Sequence, residues 1–176
     1  MRHSRLANLN FMALCCVLGL FTKKLINPLA NVITESLHIP GGISTGFSIM
    51  FLVVATEVVR QKHCGALMGA VQGFLALCLG RVGSMGLLAP IGYFMPGVAI
   101  DLVYGLNERC RFDRTERMVF ANALAAVTAS VTANIIVFRL RGAVLLLYLC
   151  VSATSGTIYG FLGAAVAKRL TRISEG

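Results

Sequence analysis

Tyr93, Asn134, Tyr148 and Ser152 are neutral polar side chains set inside long apolar runs. Such groups are costly to bury in hydrocarbon, so they turn toward the interior of a helix bundle or toward an aqueous cavity. Phenol rings stack on flat solutes, while amides and hydroxyls orient them by hydrogen bonds. The chemistry this suits is non-covalent capture of a small molecule. Gln72, Asn122, Thr154, Ser155 and Tyr159 belong to the same set of intramembrane polar groups.

Two carboxylates stand apart. Asp101 lies deep in an apolar run and is followed by Leu102, Val103 and Tyr104. It is open to a functional reading, as a proton carrier or cation ligand, and to a structural one, paired with an arginine such as Arg109 or Arg111. Glu57 sits beside Arg60 at the end of a run and is expected to snorkel to the interface. Arg81, in the glycine-rich stretch 79–86, is open to contact with an anionic group or to plain solvation. The GKS/T ending of a phosphate-binding loop is absent there, and neither GxSxG nor HExxH occurs. No catalytic residue, cofactor or metal site is expected.

These residues must be positioned by apolar segments. Long runs place helices at 8–25, 43–59, 64–79, 87–106, 118–138 and 144–167. The second and third are short for a full crossing, so they are either extended by flanking polar residues or tucked inside the bundle. Between the first two runs lies the longest connection, 22–42, with Asn27, Pro28, Asn31, Glu35, His38 and Pro40-Gly41-Gly42. Leu29, Val32, Ile33 and Leu37 are helically spaced within it, which predicts a short separate amphipathic helix ended by Pro-Gly-Gly.

Composition agrees with this pattern. Of 176 residues, 57% are hydrophobic and 13% charged, and the mean hydropathy is +0.80. A soluble domain carries about 25% charged residues. The expectation is therefore an all-α, polytopic membrane protein of about six transmembrane helices, a single integral domain over 1–176. No removable leader is expected, because the first run lacks an A-x-A cleavage pattern. Six scattered cysteines without CxxC spacing read as small buried hydrophobes.

The net charge of +9 does not imply nucleic acid, since the bases lie between apolar blocks rather than on a soluble face. Lys and Arg collect in cytoplasmic loops instead. With the amino terminus inside, the cytoplasmic segments hold eleven bases: Arg2, Arg5, Arg60, Lys62, Arg109, Arg111, Arg114, Arg117, Lys168, Arg169 and Arg172. The opposite side holds five: Lys23, Lys24, Arg81, Arg139 and Arg141. That bias supports both termini in the cytoplasm.

Gly65, Gly69 and Gly73 recur at four-residue spacing, as do Gly156 and Gly160, and Ala123, Ala126, Ala129 and Ala133 form a further small surface. Small residues let helix backbones approach closely in lipid. The surfaces are open to packing within one bundle or to docking of a partner. Pro90 and Pro96, with Gly86, Gly92 and Gly97, predict an irregular or kinked entry to the fourth helix.

Taken together, the long first connection ending in Ile39-Pro40-Gly41-Gly42, the helix from Gly65 through Gly69 to Gly73 and the opening Tyr93-Phe94-Met95-Pro96-Gly97 resemble the S components of energy-coupling factor (ECF) vitamin transporters. The resemblance covers nearly the whole chain. It implies six helices in a bacterial inner membrane and an outward pocket built from the last three, closed by the connections 22–42 and 80–86. It also implies partners: a small-molecule nutrient, a transmembrane coupling subunit and two ATPase subunits, with no hydrolysis by this chain. The family's alanine-x-x-x-alanine surface on the first helix is replaced here. Ala13 is followed by Val17, and Cys15 with Gly19 supplies the small pair.

The first expectation is thus an S component importing a partly aromatic, water-soluble vitamin or precursor. Tyr93 and Tyr148 would stack on it, and Asn134, Ser152 and Asn31 would hydrogen-bond to it. A second is a stand-alone ion-gradient-driven carrier or channel with Asp101 as coupling group. A third, an enzyme or assembly factor, lacks a nucleophile and base at recognisable spacing.

Overall fold

The computed structural model describes residues 5–37, 43–80, 83–110 and 112–175, with side chains described at 6–22, 45–80, 85–106 and 112–172. Regular structure among the described residues is entirely helical: α1 (Arg5–Leu37), α2 (Ile43–Val59), α3 (Cys64–Cys78), α4 (Ala89–Cys110), α5 (Arg114–Ala133) and α6 (Gly142–Glu175). A 3-10 segment, Gly83–Leu88, precedes α4, and a π-helical turn, Asn134–Phe138, extends α5. Three helices, Met85–Leu106, Arg114–Phe138 and Gly142–Arg172, are long and apolar enough to cross a membrane; Leu6–Thr22, Thr45–Val59 and Cys64–Cys78 are shorter apolar helices.

The first helix departs from expectation. It runs unbroken from Arg5 to Leu37, so Pro28 lies inside it and the separate amphipathic helix is a continuation of α1. Pro40, Gly41 and Gly42 lie outside the described residues, as does His38.

Around α2 the other helices close. It touches α1, α3, α4, α5 and α6, while α3 packs on α4, α4 on α5 and α5 on α6. An apolar helix without a polar face belongs in the centre, and nine of the eleven positions from Ile49 to Val59 are buried, Phe51 and Val58 being partly so. Of the two short runs, α2 is therefore the one tucked inside. By contrast, α3 buries only one stripe, Cys64, Gly65, Met68, Gly69, Gln72, Gly73 and Ala76, and leaves Leu67, Val71 and Phe74 exposed.

The glycine repeats are spent on these packings. A Cβ on Gly69 would stand 2.5 Å from the Tyr93 carbonyl oxygen, and one on Gly73 2.7 Å from Pro90 Cα, so α3 and α4 meet backbone to backbone. Gly156 and Gly160 likewise face Ala123 and Val119, at 2.8 and 2.7 Å from their Cα atoms. The expected irregular entry to α4 is present: Gly86 takes a positive φ of 54°, and Pro96 lies inside the helix. Threonine hydroxyls inside the helices are satisfied by the carbonyl four residues back, as Thr128, Thr132, Thr154 and Thr157 show.

Candidate functional site

Buried polar groups gather at two levels. The end of the bundle carrying the α2–α3 and α4–α5 turns centres on Glu57, which is completely buried. Its carboxylate accepts from Tyr104 Oη at 3.0 Å and from Arg117 Nη2 at 2.9 and 2.7 Å. Arg114 Nε lies 3.0 Å away and Arg60 Nη2 3.6 Å away. Arg117 also lies 5.1 Å above the centroid of the Tyr104 ring, a cation–π arrangement, and Arg114 Nη1 donates to Thr171 Oγ1 at 3.2 Å. One carboxylate thereby ties α2 to α4, α5 and, through Arg114, α6. The expectation that Glu57 snorkels to the interface is corrected: three cationic partners make the interior its lower-energy place.

Asp101 serves backbone rather than a side chain. Its Oδ1 accepts from Gly65 N–H at 2.8 Å and its Oδ2 from Ala66 N–H at 2.7 Å. His63, which precedes α3, takes a left-handed φ of 61° and offers no side-chain cap. Asp101 supplies from α4 the acceptor that an N-cap residue normally provides, with a negative charge at the positive end of the helix dipole. Its acceptors are thus engaged structurally. The side chains of Arg109 and Arg111 lie outside the described set.

In the opposite half of the bundle the buried polar side chains among the described residues are neutral. Ser130 of α5 and Ser152 of α6, both buried, share a hydroxyl–hydroxyl hydrogen bond. Ser155 donates to the Ser152 carbonyl at 3.0 Å. Tyr148, one turn before Ser152, is 4% exposed and meets the Phe138 ring edge-on at 5.9 Å. Above them, the Gly83–Leu88 segment touches the Asn134–Phe138 turn.

Of the six residues singled out from sequence, Tyr148 and Ser152 thus come together. Asn134 lies one turn beyond Ser130 but spends its amide locally: Oδ1 accepts from Leu140 N–H at 2.7 Å, and Nδ2 donates to the Leu140 carbonyl at 3.4 Å. Tyr93 is half-buried in the second turn of α4, with its carbonyl against Gly69. Asn31 lies in α1 with its side chain outside the described set, and Arg81 lies outside the described residues.

Gln72 and Asn122 act as clamps. Gln72 Nε2 donates to the Cys16 carbonyl at 3.0 Å, and Asn122 Nδ2 to the carbonyls of Gly46 and Gly156 at 3.2 and 2.7 Å. Sequence reasoning did not single out Ser130, Tyr104 or Arg117. Helical phase alone marks Ser130, which lies four residues from Asn134 and eight from Asn122 on one α5 face. Among the described residues no group of three His, Cys, Asp or Glu side chains is placed to hold a metal. No family model, curated protein or solved structure matches the chain.

Proposed function

We propose that this chain is the substrate-binding subunit of an ECF-type transporter, capturing a small, partly aromatic, water-soluble nutrient from the outer side of a bacterial inner membrane. The observation that carries the reading is the buried, uncharged cluster of Ser130, Tyr148 and Ser152 beneath the contact between the Gly83–Leu88 segment and the Asn134–Phe138 turn. A pocket for a neutral polar solute needs a few placed hydrogen-bonding groups in apolar walls. Tyr93 and Asn134 stand at the same end, with Asn31 of α1 and Arg81 of the stretch before Gly83 as further contacts.

On this reading the six helices alternate in direction and both chain ends lie on one side of the membrane. Arg60, Lys62, Arg114, Arg117, Lys168, Arg169 and Arg172 share that end, and this excess of bases supports its being the cytoplasmic one. On α1, Cys15 and Gly19 are buried, the latter against Ser48 and Gln72. Ala13 and Val17 lie on the exposed side instead, so a coupling subunit would dock there. The carrier reading rested on Asp101 as coupling group, and the two amides that Asp101 accepts from favour its structural role.

Native mass spectrometry of the detergent-purified protein tests the proposal. A co-purifying vitamin-like metabolite that rebinds without ATP is the expected result. Uptake in cells that survives ATP depletion and collapses with an uncoupler would replace this reading with the ion-driven carrier.

A further inference from the structure

We propose that the cavity at the Glu57 end of the bundle is a binding site for a phosphate-bearing anion, either a lipid headgroup or free phosphate. The cavity measures about 830 Å³ and lies between the α2–α3 turn and helices α4 and α5. Its charged walls are Arg60, Lys62 and Arg117 on one account and Glu57 and Asp101 on the other. The inference does not depend on which solute the opposite half of the bundle takes.

Both carboxylates are already committed. Glu57 receives Arg117 on both oxygens and Tyr104 on one, with Arg114 in ion-pair contact. Asp101 gives each oxygen to an α3 amide. The cations are not matched in return. Counting Arg114, four permanent positive charges stand against two carboxylates, and Lys62 has no ion pair among the described residues. Arg60 is 70% exposed and holds Glu57 only at 3.6 Å. Arg114 Nη2 and Arg117 Nε are buried without a hydrogen-bond acceptor, and buried guanidinium groups are ordinarily satisfied.

The turn that carries the loose cations is itself strained. Arg60 and His63 both adopt left-handed backbone, at φ 52° and 61°, a conformation that costs a non-glycine residue energy and concentrates at ligand sites. Between these two residues lie Gln61 and Lys62, which also line the cavity. Four donors from one short turn, facing Arg117 across a cavity too large for a single ion, suit a phosphate with an organic substituent. Basic pockets between membrane helices on the cytoplasmic side hold anionic headgroups in this way.

The test uses the full chain and an Arg60→Gln/Lys62→Gln variant, whose altered side chains lie on the exposed turn. In nanodiscs of equal phosphatidylglycerol and phosphatidylcholine, native mass spectrometry counts the lipids retained. In phosphatidylcholine nanodiscs, the thermal midpoint is followed with inorganic phosphate against chloride of equal ionic strength. A preference for phosphatidylglycerol of about tenfold, lost in the variant, assigns the site to a headgroup. A phosphate-specific rise in midpoint, lost in the variant, assigns it to free phosphate. Absence of both effects, or effects equal in the variant, overturns the proposal.

Discussion

Arg117 donates through a single nitrogen, Nη2, to both oxygens of Glu57, across 60 residues of sequence. The carboxylate that receives it is fully buried, and that burial sets how strongly the pair is coupled. Removing one partner of a buried ion pair strands the other without water or counter-charge, which costs more than the pair contributes net.

Glu57→Gln is therefore expected to destabilise the protein by about 3–5 kcal/mol, measured as a drop in unfolding midpoint in detergent. Glu57→Gln combined with Arg117→Gln should be less damaging than the sum of the two single changes. Strict additivity in that cycle would show that the two side chains do not share their energy.

Asp101→Asn keeps one acceptor for the α3 amides and removes the charge. The expected cost is about 1 kcal/mol, with solute binding retained. Loss of binding or uptake with unchanged stability would restore Asp101 to a functional role.

Gly69→Ala and Gly105→Ala make a matched pair. The added methyl at 69 meets the Tyr93 carbonyl oxygen, whereas at 105 it meets nothing within 4 Å. Thermal unfolding should show Gly69→Ala lowering the midpoint, and Gly105→Ala raising stability by about 0.5–1 kcal/mol through the entropy of the unfolded chain. Equal effects would mean that α3 and α4 do not pack at glycine distance.

Ser152→Ala leaves Ser130 buried without its hydroxyl partner, and Tyr148→Phe deletes a phenol while keeping the ring against Phe138. With the co-purified solute identified, calorimetry should show each change weakening its affinity by about tenfold, the loss of one good hydrogen bond. Unchanged affinity in both variants would move the site away from this cluster.

Helix positions were largely legible in the residues, because long apolar runs report exclusion from water directly: the run 43–59 coincides with α2, which the other helices enclose. The first helix was misjudged at Pro28, where a local rule for helix breaking competes with a continuous α1. The surroundings of Glu57 were not legible. Its partners are Arg114, Arg117 and Tyr104, and pairing between distant segments leaves no periodic trace in a single sequence. Asp101 showed its oddity through hydropathy, but its partners are backbone amides, which every residue type supplies. Tyr148 and Ser152 were found by polarity, and Ser130 was missed because three hydroxyl residues, Thr128, Ser130 and Thr132, alternate there and only the bundle shows which one points at α6.

The enclosure of α2 has a consequence for how the chain is made. Its carboxylate and its Ser48 and Thr56 hydroxyls are buried among neighbours, yet Arg114 and Arg117, the two closest cations to Glu57, are synthesised some 60 residues later. In chain order the second helix is therefore complete before α5, which carries these partners, exists. Assembly of this protein is then a late, concerted closing of later helices around an early one, and a nascent chain halted before Arg114 would leave the Glu57 carboxylate without its two closest cations.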